Sequence, residues 1–272
     1  MKSFAEFEFA GWERVAVKYD ATWATLTRLF IPALLEAAGV RPGVRVLDVA
    51  SGPGYVAEGA ARLGAEVTGL DFAPQMVRLA RSRHPTLQFR AGDAQALPFT
   101  DRSFDAVVMS FGLLHLPEPE RGLSEAARVL RAGGRYAFTV WAGPAESAGA
   151  RVFETAIQAH ANLDVPLPAG PARFGFGAVD EARATLARNG FDAGSVAVRS
   201  VGVTWRIPSE AFLFDAQRHA GVRNSGLLAA QTPQALESIR LALAAGLREF
   251  RVPEGFAIPY VAHVIAAAVP DR

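Results

Sequence analysis

Between residues 44 and 141 the chain alternates short apolar runs with helix-length amphipathic segments, and this rhythm restricts the available folds more than any other feature. The runs Val44–Val49, Ala65–Asp71, Leu87–Ala91, Phe104–Ser110 and Gly134–Trp141 have strand length and are mostly apolar. A strand covered on both faces reads this way, because its side chains meet helices above and below the sheet. The intervening segments read as helices: GPGYVAEGAARLG turns into a helix ending at Gly64, and Pro119–Leu130 forms another. Pro74–His84 is a third, with Pro74 at a first helical position, where its missing N–H costs nothing. Strand, helix, strand in this order predicts an α/β fold with a doubly wound, mostly parallel sheet.

The flanks differ. Trp12–Gly39 reads as two helical pieces, the second being Thr25–Ala38 with Gly39 as its stop. After Trp141 come a helix over Ala148–His160, a helix over Val179–Asn189, a strand over Val196–Arg206, a helical stretch over Pro208–Phe250 and a last strand over Gly255–Ala267. No low-complexity linker intervenes, so the sequence predicts one domain over 1–272. It would comprise N-terminal helices at 1–39, a ligand-binding core at 40–142, and insertions at 143–177 and 207–253. Insertions beside the carboxyl ends of parallel strands are expected to act as lids and to shape a substrate pocket. Phe174, Phe176, Trp205, Phe212 and Phe214 would make that pocket apolar, with Trp12 and Tyr19 as further covers.

A net charge of +1 gives no electrostatic reason to expect nucleic acid or an acidic membrane as partner. The absence of cysteine excludes disulfides, a thiol nucleophile and cysteine metal ligands, and nothing else calls for a metal. There is no h-region at the N-terminus and no unbroken apolar stretch of spanning length. A cytoplasmic protein with no membrane insertion is expected, and the sequence is compatible with a homodimer.

The chemistry concentrates where strands end. Asp48-Val-Ala50-Ser51-Gly52-Pro53-Gly54-Tyr-Val-Ala57 runs from a strand through small residues into a helix. Glycines allow close backbone approach, and a helix N-terminus offers unpaired N–H groups to an anion. The pattern also satisfies the dinucleotide motif GxGxxG/A, so the loop by itself does not choose a ligand. Asp48 helps to choose. A pyrophosphate would gain nothing from that carboxylate, whereas a ligand bearing an ammonium group would. Asp71, 19 residues after Gly52 and at the end of the next strand, has two acceptor oxygens suited to a ribose diol. Phe72 can lie against an adenine ring. Gly92-Asp93-Ala94 follows the third strand on the same rim, where Asp93 can accept from an exocyclic amine and Gly92 can leave room for the ring.

The ordered set VLDVASGPGYVA, GLDFAPQMVRLAR, AGDAQALPF and SFDAVVMSFGLLHLPEPERGLSEAARVLRAGGRY, spanning roughly Val44 to Trp141, resembles the class I S-adenosylmethionine-dependent methyltransferases. It is most similar to the small-molecule branch that includes ubiquinone and menaquinone biosynthesis enzymes. The resemblance implies a seven-stranded Rossmann-like sheet with an antiparallel last strand. It also implies S-adenosyl-L-methionine as cofactor and S-adenosyl-L-homocysteine as product. Carried over by position, Asp48, Ala50, Ser51, Gly52 and Gly54 form the cofactor loop. Asp71 is the ribose acid, and Met76 lines the adenine pocket beside Phe72. Gly92, Asp93 and Ala94 meet the adenine edge, and Ser110 and Phe111 pass beneath the methionine moiety. Ala50 stands where the family usually has glycine, so a slightly different turn is expected there.

His115, in FGLLHL, is a candidate general base for a hydroxyl or amine acceptor, since imidazole titrates near neutral pH. The stretch after the fourth strand, Ser110-Phe111-Gly112-Leu113, lacks the N/D-P-P-Y/F pattern of base-modifying enzymes. Methyl transfer to a small, hydrophobic or aromatic molecule is therefore the expected function, with the O-, N- or C-acceptor unresolved. The alternative is a protein of the same fold that binds the cofactor without transferring methyl, as a cyclase-like scaffold or regulatory binder.

Overall fold

The computed structural model describes residues 2–271. The chain opens with helices α1 (Phe4–Ala21), α2 (Trp23–Thr27) and α3 (Ile31–Ala37). It then alternates: β1 (Arg45–Val49), α4 (Tyr55–Arg62), β2 (Glu66–Asp71), α5 (Pro74–Arg83), β3 (Gln88–Ala91), β4 (Phe104–Ser110), α6 (Pro119–Val129) and β5 (Leu130–Trp141). Helices α7 (Ala148–His160) and α8 (Val179–Arg188) precede β6 (Ala197–Ile207). Helices α9 (Glu210–His219), α10 (Val222–Ala229) and α11 (Pro233–Gly246) precede the short β7 (Arg251–Val252) and the long β8 (Gly255–Ala268).

The sheet order is β3-β2-β1-β4-β5-β8-β6, with β7 pairing only with β8. Strands β3, β2, β1, β4 and β5 are parallel in register. Gly133 and Val269 pair at one end of β5, while Ala142 donates to Val261 near the other. Paired positions thus rise in one strand as they fall in the other, so β8 runs antiparallel to β5. The chain therefore has the expected seven strands along the sheet, with the last strand in sequence inserted between β5 and β6.

Three expectations need correction. The helix expected over Thr25–Ala38 is broken by a 3-10 turn at Arg28–Phe30, because Pro32 in the first turn of α3 has no N–H to continue the ladder. Strand β5 begins at Leu130 rather than Gly134, since Leu130 already pairs with Phe104 ahead of a bulge. The helical stretch 208–250 is three helices; α9 and α11 start at Ser209 and Thr232, whose side chains accept from the third residue beyond.

The described residues form two compact units. One comprises 27–141, 170–201 and 263–272, and so contains β1 to β5 and α3 to α6. Its core sets Leu47, Val107, Phe138 and Ile265 among α6 and α8 residues, and on the other sheet face Val46, Val108 and Ala137 pack against Leu34 and Val56. The other unit comprises 1–26, 142–169 and 202–262, and is mainly helical. There Trp205 stacks on Trp23 with centroids 5.2 Å apart and meets Phe212 and Tyr260 edge-on. Its indole N–H donates to Thr25 Oγ1 at 2.8 Å, so the buried polar atom is satisfied. The expected insertion 143–177 thus divides, with 142–169 in the helical unit and 170–177 in the sheet unit. None of the helices, among the described residues, is long and apolar enough to cross a membrane.

Close packing gives one direct test. A Cβ on Gly149 of α7 would enter the ring of Tyr260, itself buried. Gly149→Ala is expected to destabilise the helical unit by about 1–3 kcal/mol, read as a lower urea midpoint, because an overpacked core must displace its neighbours.

Candidate functional site

The strand order reverses between β1 and β4: the chain steps outward from β1 to β2 and β3, then returns to β4 on the other side. In open α/β sheets a crevice forms beyond the carboxyl ends of the strands at such a switch point. The loop 50–54 and the turn 110–112 are the two segments that flank it here.

Three of the five loop residues are left-handed: Ala50 (φ 55°), Gly52 (φ 52°) and Gly54 (φ 87°). Alanine adopts the left-handed conformation that glycine takes freely, at a cost of about 1–2 kcal/mol. Its methyl is accommodated across the switch, where a Cβ on Gly112 would lie 2.7 Å from that of Ala50. Gly54 caps α4, and a Cβ there would come within 2.7 Å of Phe89 and 2.9 Å of His84. Gly52 is different: a Cβ would meet nothing within 4 Å, so this part of the loop faces open space.

Two carboxylates brace the loop from below. Asp71 is 5% exposed; its Oδ2 accepts from Gly52 N at 2.8 Å and its Oδ1 from Ala73 N at 2.9 Å. It therefore both holds the loop and starts the turn into α5. Asp48 is fully buried, with Oδ2 accepting from Ala57 N at 3.0 Å and Oδ1 without a partner. Burial pushes its carboxyl up to about 8, and the nearby charge of Asp71 adds to the effect against the opposing Ala57 amide. Ser51, also buried, leaves its Oγ unpartnered.

The remaining predicted residues lie along the same unit. Phe72 is half-buried and Met76 is buried in α5. Asp93 is exposed, its Oδ1 accepting from Gln95 N at 2.8 Å, while Gln95 Oε1 accepts from Glu118 N. Ala94 is buried in the core. At Gly92 a Cβ would stand 2.7 Å from Leu70 Cδ1. Ser110 ends β4, Phe111 follows with φ 55°, and His115 is half-buried in a 3-10 turn at Leu113–His115.

Phe174, Phe176, Trp205, Phe212 and Phe214 do not share a unit. Phe176 packs edge-on against Phe138 in the sheet unit, whereas Trp205, Phe212 and Phe214 belong to the helical one. Trp12 donates to Glu8 Oε2 at 3.0 Å and meets Tyr19 edge-on, within α1.

Two site-shaping residues were not among the candidates from the sequence. His84, beyond the end of α5, bonds the carbonyl of Pro53 and packs beside Gly54, and burial holds its imidazole below the ordinary value. Trp141, the last residue of β5, stacks on Phe111 with centroids 4.0 Å apart. Its place at a strand end on the same rim was the one available hint.

Asp48 generates a pH prediction. Its folded value of about 8 lies above the ordinary 3.8, so the stability linked to its protonated form is complete below 3.8 and is lost as pH rises through about 8. Asp48→Asn cannot ionise, and is expected to flatten the decline in Tm between about pH 4 and pH 8; an unchanged profile would assign that decline to other groups.

Residues 47–138 match a family model described as methyltransferase domain. A demethylmenaquinone methyltransferase of Renibacterium salmoninarum is 43% identical over 139 residues, covering 50% of this chain and 59% of that protein. One from Beutenbergia cavernae is 46% identical over 134 residues, covering 48% and 56%. The chain thus spans less than two thirds of the length of these curated relatives. A solved structure described as a putative methyltransferase from an antibiotic biosynthesis pathway, from Anabaena variabilis, shares the fold with TM-score 0.61 at 17% identity, covering 87% of this chain and 96% of that one. Residues 47–138 thus match the methyltransferase domain family, and the chain shares the fold of solved methyltransferase structures.

Proposed function

We propose that this protein is an S-adenosylmethionine-dependent methyltransferase acting on a small molecule. The observation that carries the reading is the joint placement of Asp71 and Gly52: a buried carboxylate and an open, left-handed glycine, bonded to each other at adjoining strand ends on the β1 side of the switch. A ribose diol suits the two carboxylate oxygens of Asp71. The ammonium of the methionine arm suits the acidic floor formed by Asp48 and Asp71, and its carboxylate suits the N-terminus of α4. The unpartnered Ser51 Oγ and Asp48 Oδ1 are buried polar groups that a polar ligand would complete. Met76, Phe72, Gly92, Asp93 and Ala94 form the adenine end in this reading, and Ser110 and Phe111 the methionine end.

When bound, the cofactor supplies an electrophilic methyl on a sulfonium, so the task of the chain is alignment and exclusion of water. The loop and Asp71 hold position. His115, if the acceptor is a hydroxyl or amine, takes the proton at an imidazole nitrogen. The curated relatives are named for demethylmenaquinone, which makes that compound the first acceptor to try; the preference for a hydrophobic or aromatic molecule rests on the same names.

Calorimetry should detect S-adenosylmethionine binding to the purified chain. Asp71→Ala is expected to raise Kd tenfold or more, about 1.4 kcal/mol for a lost charged hydrogen bond, with Tm followed as a control on the loop. An unchanged Kd would remove the ribose assignment. Transfer of labelled methyl to demethylmenaquinone would identify the acceptor class, and His115→Ala should lower turnover about a hundredfold if the imidazole is the base. A mild effect would leave His115 structural, and binding without transfer to a broad acceptor panel would favour a non-transferring binder.

A further inference from the structure

The β4 side of the switch, where Phe111 stands at the methionine end of the proposed site, carries a strained residue set against a tryptophan. Phe111 is a bulky residue held left-handed (φ 55°), a conformation that persists only where its surroundings enforce it. The enforcement is visible: its N–H is shared between Thr139 O at 3.2 Å and Thr139 Oγ1 at 2.9 Å. The result is to turn the Phe111 ring flat against Trp141, with centroids 4.0 Å apart and planes 23° from parallel. Phe30, fully buried, meets both rings edge-on at 5.5 and 6.0 Å and fixes the stack from behind. Phe111 is 6% exposed, whereas Trp141 keeps a partly exposed surface. The stack adjoins the loop directly, because Gly112 lies against Ala50.

The left-handed turn at Phe111 thus sets an aromatic stack, with the Trp141 indole partly exposed, at the rim beyond β4. In the proposed function, the ribose lies on the β2 side at Asp71 and the methionine arm crosses toward β4. The atom joining the two is the sulfonium. Aromatic faces carry negative quadrupole density, and Trp binds cations best among them. The ammonium and carboxylate of the methionine arm are common to S-adenosylmethionine and S-adenosylhomocysteine, so Asp48, Asp71 and the end of α4 cannot tell them apart. The positive charge on sulfur can.

We infer that the Phe111–Trp141 stack is the surface that recognises the sulfonium, so that the site prefers the charged cofactor to its neutral thioether product. The inference rests on the methyltransferase reading and adds a residue, Trp141, and a selectivity to it. After transfer the methyl and the positive charge have left the sulfur, and the stack then contributes less to holding the product.

The test is the ratio of two dissociation constants, measured by calorimetry for S-adenosylmethionine and S-adenosylhomocysteine on the full chain. Trp141→Leu is expected to weaken S-adenosylmethionine about five- to thirtyfold while changing S-adenosylhomocysteine less than about twofold. Trp141→Phe, which keeps an aromatic face of weaker quadrupole, should fall between and serves alone if the leucine variant does not fold. Equal weakening of both ligands, or no change in either, would make the stack a packing element and overturn the inference. Failure of the unmodified chain to bind either ligand would overturn the methyltransferase reading, and this inference with it.

Discussion

The Asp71 carboxylate, shared between the amides of Gly52 and Ala73, is the interaction on which the rest of the rim depends. It ties the end of β2 to the loop after β1, and so fixes a segment that would otherwise be free to choose its conformation. Two supports sit behind it. Phe89 fills the space that side chains on Gly54 and Gly69 would need, so one ring from β3 accounts for two glycines in different elements. Asp48 holds the first turn of α4 through Ala57 N from a position sealed from water. A buried carboxyl raised to about 8 is unfavourable on its own account, and its retention beneath the loop suits a cationic group above it.

Left-handed non-glycine residues, Ala50 and Phe111, stand on each side of the β1–β4 switch. Each stores about 1–3 kcal/mol of backbone strain, a quantity that stays in a fold only where neighbouring contacts outweigh it. At Phe111 the contacts are the Thr139 bonds and the aromatic stack. At Ala50 they are the parallel pairing of β1 on both sides and the missing side chain at Gly112. Two of the left-handed non-glycine residues thus stand where the sheet topology leaves a crevice, while Arg102 and Phe176 take the same conformation elsewhere. An alanine in the usual glycine place is therefore compensated across the switch, by a residue some sixty positions away in sequence.

Legibility followed the range of the forces involved. β1, β4 and α7 lie within a residue of where apolar runs and caps put them, since periodicity and turn chemistry are local. The break at Arg28–Phe30 was legible in principle through Pro32, but an apolar run on both sides hid it. At Gly92 the position a side chain would take is held by Leu70, from the neighbouring strand, a contact no local pattern encodes. His84 was merely the end of a helix in sequence, and only its approach to Pro53 and Gly54 gives it a place at the site.

By itself, the sequence determined the α/β class, the order of the core strands and the rim on which Asp48, Asp71 and Asp93 stand, because each follows from local pattern and from the rule that consecutive crossovers share a hand. Only the tertiary structure decided which of those groups are sealed, which are bonded and which face open space. It placed β8 between β5 and β6, buried Asp48, joined Asp71 to Gly52 and set Trp141 against Phe111. Burial and pairing depend on residues distant in the chain, and no local pattern encodes them.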